Sequence, residues 1–414
     1  MIKTKNVKLL FLIICLLIIN YKLFYLVQLP GNLGARNNLI IFNIVSIIFC
    51  CLELITEKQK FKYTFNGYII FIFIILIIEF FFTAFKYSNE SYITALKEIF
   101  PFISLLSYYI FSNYSQKNLA KFLKILITCS SLVAIICLIE TVLYTKFGFS
   151  LFKFYGFNYG QFNNTDPNNF LRNGRIRLIG SDLIDFTAVL SIGCLFDRKI
   201  SIPRAMLLFN LFVVFMYEIF ASQTRSITIM LCITLLLLWL LNKRSNNILK
   251  VLTLGTFIFI PLMYISLKFK MIFINLSDYS YYHRIEEAIF YFNRFESSPI
   301  FGNGLLSDKP IFLENYELVH GTNIFGENAY SDVGIIGLLG RFGILGLFLY
   351  VGLFIKEVKI LKNTRNSLAM AILIITVLSC VNLSLFDAER LPVLAIYMAV
   401  LDGIVSNNVI KETL

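Results

Sequence analysis

The sequence predicts an all-α, polytopic integral membrane protein with about twelve transmembrane helices and a long extracytoplasmic loop carrying a short amphipathic helix. Three observations predict it. Of 414 residues, 58% are hydrophobic and only 15% are charged, against about 25% charged in a soluble globular domain. Apolar runs of about 20 residues, the length that spans a bilayer, recur along the whole chain. Lysine and arginine gather in every second connection between those runs, the bias that orients membrane helices.

In order, the runs are Lys8–Val27, Asn38–Ile55, Phe65–Phe85, Tyr92–Phe111, Leu119–Tyr144, Ser181–Phe196, Pro203–Ala221, Ser226–Leu241, Ile248–Leu267, Ala329–Ile355, Leu368–Phe386 and Leu391–Val405. They form a single transmembrane domain over residues 1–414. The first run follows basic residues, as a secretion signal does. No small-residue cleavage site follows Asn20, however, and the run is long enough to span, so it reads as an uncleaved helix. The tenth reads either as one span or as a broken pair. With the N-terminus inside, the cytoplasmic segments hold twenty lysines and arginines, from Lys3 to Lys411. The short connections on the other side hold only Arg36, Lys86, Arg225 and Arg390. Both termini are therefore expected in the cytoplasm. The formal charge of +12 reads as membrane anchoring, and no nucleic-acid partner is expected. All eight cysteines lie inside apolar runs, so neither a disulfide framework nor a metal site is expected.

Two connections on the outer side are long, and their charges oppose each other. Lys146–Gly180 is basic, with Lys146, Lys153, Arg172, Arg175 and Arg177 against Asp166. Lys268–Asn328 is acidic, with five Lys/Arg against eight Asp/Glu. The first suits a phosphate and the second suits sugar hydroxyls. Within the second, Tyr279–Glu296 reads as a helix capped by Ser277 or Asp278. Its apolar positions Tyr281, Ile285, Ile289, Phe292 and Phe295 fit a helix lying face-down on the membrane, leaving Arg284, Glu287, Tyr291 and Arg294 on another stripe. The span that follows has glycines at 334, 337, 340, 343 and 346, a spacing that suits close packing or a lipid groove.

Arginines held on the outer side need a reason other than anchoring, and binding an anionic lipid headgroup is one. Arg225 sits in the polar patch Ser222-Gln223-Thr224-Arg225-Ser226, where a simple turn would suffice; a charge near membrane depth is a functional candidate, the bland alternative being a pair with Glu218. Arg175 and Arg177 precede a helix start at Gly180-Ser181, and helix N-termini attract anions. His320 is a natural proton acceptor, with Glu327 and Asp332 as alternative bases. Lys97 either pairs with Glu98 or adds to the phosphate site, and Asp182 and Asp185 read as structural.

Taken in order, the Ser-Gln-Thr-Arg-Ser patch opens a helix and the long loop carries Arg284, Ala288 and Pro299-Ile300-Phe301-Gly302-Asn303-Gly304. His320 follows, and Asn328-Ala329-Tyr330-Ser331-Asp332-Val333-Gly334 enters the glycine-rich span. The arrangement resembles the O-antigen polymerase/ligase family, the Wzy-type polysaccharide polymerases and related lipopolysaccharide ligases. The resemblance implies that Arg225 and Arg284 bind the pyrophosphate of an undecaprenyl-linked glycan donor, with Gln223 and Asn328 as further substrate contacts. It places His320 near the reacting sugar, although Gly321 stands where the ligases tend to have asparagine. It implies glycosyl transfer without metal or cofactor, outside a bacterial cytoplasmic membrane, between lipid-linked donor and acceptor. Membrane lipid, a chain-length regulator and a flippase are the expected partners. The chemistry is coherent: the donor bond is already activated, guanidiniums stabilise the departing pyrophosphate, and a base takes the proton of the incoming hydroxyl. A ligase acting on lipid A-core uses the same donor and is the first alternative. A lipid-linked oligosaccharide flippase is the second, disfavoured by the 61-residue outer loop.

Overall fold

A computed structural model describes residues 11–19, 37–56, 62–87, 92–148, 171–172, 175–176, 181–197, 200–241, 279–306, 317, 322–323 and 326–412. The first helix, α1, covers 11–19. It is followed by α2 (Asn37–Thr56), α3 (Asn66–Lys86), α4 (Tyr92–Ile99), a 3-10 segment (Phe100–Leu106), α5 (Ser107–Lys117) and α6 (Leu119–Phe147). After a short hairpin, β1 (Leu171–Arg172) and β2 (Arg175–Ile176), come α7 (Asp182–Phe196), α8 (Arg204–Tyr217), a π-helical turn (Glu218–Ser222) and α9 (Arg225–Leu241). The loop helix α10 (Tyr279–Ser297) precedes β3 (Thr322–Asn323), β4 (Gly326–Glu327) and a 3-10 turn (Tyr330–Val333), and α11 (Gly334–Thr364), α12 (Ser367–Ser379) and α13 (Leu391–Glu412) complete the chain.

The molecule is mostly helical. Among the described residues, five stretches are long and apolar enough to cross a membrane: Asn66–Lys86, Tyr92–Lys117, Leu119–Phe147, Arg204–Ser222 and Tyr330–Thr364. Leu39–Cys51, Arg225–Leu241, Ser367–Ser379 and Leu391–Asn407 are shorter apolar helices. The expected span at Ile248–Leu267 lies outside the described residues. Tyr92–Phe111 is not one regular helix, because Pro101 opens a 3-10 segment inside it; proline lacks the N–H that a continuing helix would need.

Two helices form the centre. α7 is buried from Leu183 to Cys194 apart from Asp185, and α13 is buried from Leu391 to Ile404. Phe186 stacks on Tyr397 at 3.7 Å between ring centres. Polar groups tie the helices where hydrophobicity alone discriminates poorly among them. Asn210 on α8 donates to Ser131 on α6 (2.9 Å) and accepts from Ser191 on α7 (2.8 Å). Asp402 on α13 accepts from Ser112 (2.7 Å), from the Thr64 amide (3.2 Å) and from Tyr108.

The glycine-rich span is broken, at Gly343. That residue has φ 58 and ψ −148, outside helical space. The loop Pro299–Gly304 enters the break: Asn303 N–H donates to Gly340 O (3.0 Å), Gly304 N–H to Arg341 O (2.7 Å), and Ile344 N–H to Pro299 O (2.9 Å). Groups released by the interrupted helix are thus satisfied by protein rather than left bare, as irregular backbone at membrane depth requires. A Cβ on Gly302 would lie 2.5 Å from Gly340 O, and one on Gly343 would lie 2.3 Å from Ile300 C and O. All five periodic glycines are closely packed: Gly343 against this loop, Gly340 against Tyr291 of α10, Gly334 against Cys380, Gly337 against Tyr330 and Gly346 against Leu338.

Candidate functional site

Residues flagged in the sequence collect at one end of the bundle. There, α8 loosens into the π turn Glu218–Ser222, and Gln223 follows with φ 53, a left-handed conformation. Left-handed backbone costs a side-chain-bearing residue roughly 1–2 kcal/mol, and such strain gathers at functional positions. Gln223 is buried, and Arg225 stands exposed at the first turn of α9. Ser222 Oγ donates to Glu218 (3.2 Å) and shares a short hydrogen bond with Thr224. Glu218 lies near enough to Asp185 on α7 for the two carboxyls to act on each other.

Arg390 continues the network. Its Nε lies 3.2 Å from Asp182 Oδ1, its Nη1 donates to Ser384 O at 3.1 Å, and Asp387 lies 3.9 Å away. Burial would lower its pKa, but Asp182 and Asp387 outweigh burial and hold it above the ordinary value. Burial pushes the Asp387 carboxyl up to about 6 against the pull of Arg390. Among the four short-connection arginines and lysines, Arg390 thus has a structural reason to be there, and the headgroup expectation does not apply to it. Asp332, on the 3-10 turn ahead of α11, also acts on Arg390.

Asp332 acts equally on Glu287 of α10. The apolar stripe of that helix, Ile285, Ile289 and Phe292, is exposed, while Glu287 and Tyr291 are buried against α11 and the turn before it. Glu287 Oε1 accepts from the Ala329 amide (2.9 Å) and lies 3.1 Å from His283 Nε2. Tyr291 donates to Asn328 O at 3.1 Å. Burial raises the Glu287 carboxyl to about 7; Asp332 adds to the shift, and the Ala329 amide and Arg284 oppose it. Arg284, one turn from Glu287, is half-buried.

Charge links part of the way between Arg284 and Arg225: Asp332 acts on both Glu287 and Arg390, and Arg390 is paired with Asp182, one turn from Asp185 on α7. Arg175 joins by position: β2 lies against the π turn and α6, with Arg175 directly across the ladder from Arg172. Glu327 stands opposite Thr322 in the second ladder, and Asn328 is buried beside Tyr291. His320 and Arg177 lie outside the described residues. Lys97 is exposed, and Glu98 reaches Arg341 instead, at 3.1 Å. The sequence reading left Glu287 and Arg341 without roles; the i, i+3 spacing from Arg284 to Glu287 was the signal for the first. Among the described residues no group of three His, Cys, Asp or Glu forms a metal cluster. No protein-family model matches the chain, and comparison with curated proteins finds no match.

Proposed function

We propose that this chain polymerises undecaprenyl-pyrophosphate-linked oligosaccharide repeat units, at the outer face of a bacterial cytoplasmic membrane. About twelve spans and cytoplasmic termini belong to this reading. What supports it most is that the arginine-bearing elements meet the same part of the bundle: Asp332 beside α10 acts on Arg390, Arg390 is paired with Asp182 at the start of α7, and α9, which Arg225 opens, packs on α7. Arg225 and Arg284 hold the pyrophosphate, with the Arg175 ladder beside them. Charge developing on the departing diphosphate is stabilised by charge-assisted hydrogen bonds.

The acceptor hydroxyl loses its proton to a base on the loop side. Asp332 fits, since its charge acts on both Glu287 and Arg390; Glu327 and His320 are the other candidates. In cells, Arg225→Ala and Arg284→Ala should each leave protein in the membrane while long glycan collapses to single repeats. Normal chain ladders from both variants would refute the assignment.

A further inference from the structure

Lys86, like Arg225 and Arg390, stands on the side of the chain where cations are scarce, and neither the Arg225–Arg284 site nor the Arg390 network uses it. It closes α3 and is exposed. Its Nζ lies 4.9 Å from the Phe82 ring centre, 5.2 Å from that of Tyr87 and 3.5 Å from Ser298 Oγ. Ser298 follows the last turn of α10, where its amide donates to Arg294 O at 3.1 Å. Arg294 is the first of the charges that act on the half-buried Tyr87. Its guanidinium lies 4.9 Å from the Phe290 ring centre and donates to Glu317 O at 3.4 Å. α3 and α10 thus each bring a cation to Tyr87.

The two elements are fastened to each other. Phe82 stacks on Phe301 at 4.3 Å between ring centres, and Thr83 Oγ1 accepts from the Leu305 amide at 2.8 Å. The loop after α10 is therefore held on α3, and the spacing of the two cations with it. Interfacial anchoring accounts for a cation beside aromatics at the end of a span. It does not account for an arginine from a second element converging on the same tyrosine. Among the described residues no carboxylate forms an ion pair with Lys86 or Arg294. Glu79, two turns down α3, acts on Lys86 but is fully buried. What faces outward is a set of donors: an ammonium, a guanidinium with most of its N–H groups uncommitted, and the Ser298 and Tyr87 hydroxyls. Such a set fits an anion. A phosphodiester headgroup carries a single charge, whereas a carrier diphosphate carries at least two, the match for a paired ammonium and guanidinium.

We infer that Lys86 and Arg294, with Ser298 and Tyr87, hold the diphosphate of the second lipid-linked glycan, the acceptor whose hydroxyl attacks. This rests on the polymerase reading, in which two diphosphate-bearing lipids meet and Arg225 and Arg284 hold only the donor. In that reaction the bond between donor sugar and donor diphosphate breaks and the acceptor oxygen takes the sugar. The hydroxyl proton goes to the base, and the acceptor's own diphosphate bond stays intact. Arg284 and Arg294 are ten residues apart, roughly 15 Å along α10. That is too far for one diphosphate to touch both, and near enough for a short glycan to span.

The test counts lipids bound to the full chain in phosphatidylcholine nanodiscs by native mass spectrometry, with undecaprenyl pyrophosphate as the probe. Wild-type protein should bind two. Lys86→Gln and Arg294→Gln should each weaken one of the two at least tenfold, and either variant suffices should the other fail to fold. Phosphatidylglycerol in tenfold excess should displace neither. Wild-type binding in either folded variant would overturn the site, and so would displacement by phosphatidylglycerol, which would make it a phospholipid headgroup site. Incubation with lipid-linked repeat units separates the two readings. A single bound lipid, lost in Lys86→Gln and without polymer, sinks the polymerase reading and leaves a diphosphate site here. Polymer with lipid binding indifferent to Lys86→Gln sinks this site alone.

Discussion

Arg390 and Arg225 share a sequence signature, a lone cation on the side of the chain where cations are scarce; Arg390 is half-buried and Arg225 is exposed. Arg390 is held by Asp182 and Asp387, residues 208 and 3 positions away in the chain, and only the folded chain brings Asp182 to it. Gln223 poses a related case, since its residue type gives no warning of a left-handed backbone. Gln223→Gly should stabilise the fold by about 1 kcal/mol, the left-handed cost removed, while lowering polymer yield if the amide contacts substrate. Thermal unfolding and glycan ladders on the same preparation measure both. Glu287 carries a pH prediction. Its folded carboxyl titrates near 7 rather than at 4.5, so its contribution to stability is full below about pH 4.5 and is lost as pH rises to about 7. The facing groups are His283, Arg284, Asp332 and the Ala329 amide. The loss should be on the order of 3 kcal/mol, and Glu287→Gln should flatten it. An unchanged pH slope in unfolding would show that Glu287 is not the group responsible.

At the scale of elements, most helices were legible because runs of apolar residues near 20 long need no tertiary information. The amphipathic loop helix was legible too, from its period. Its two stripes separate as read: Glu287 and Tyr291 are buried while Ile285 and Ile289 are exposed, and what was not legible is that α11 and the turn before it cover the first stripe. The β1–β2 pairing within the basic connection was not read from the sequence. The insertion of Pro299–Gly304 into the Gly343 break was half legible. Both glycine groups stood out, but their meeting is a contact between segments some 40 residues apart. Gly302→Ala should therefore be severe, combining a left-handed alanine at about 1–2 kcal/mol with overpacking against Gly340 O at about 1–3 kcal/mol. Its unfolding temperature should fall and exchange at 302–306 should quicken, whereas Gly67→Ala, with open space around its Cβ position, should leave both unchanged or slightly raised.

For the whole molecule, the account needs one end of the bundle to face outward. Lys86, the Gln223–Arg225 turn and α10 fall at helix ends alternate to those of Lys117, Arg204 and Arg365, and the charge count predicts that the first set faces outward. In a variant with the native cysteines replaced, Ser297→Cys should react with an impermeant thiol reagent in intact cells, and Lys117→Cys should react only after lysis. The reverse pattern would turn the site inward and end the proposal. The sequence supports substrate chemistry only as an expectation, from the order of weak motifs, because the residues proposed for the site are spread from Arg175 to Arg390. The most direct test of the central claim is to give purified protein in nanodiscs undecaprenyl-pyrophosphate-linked repeat units and nothing else. The account predicts products at integral multiples of the repeat, with one undecaprenyl pyrophosphate released per joining and both lost in Arg225→Ala. Folded wild-type protein that leaves every unit single would contradict it.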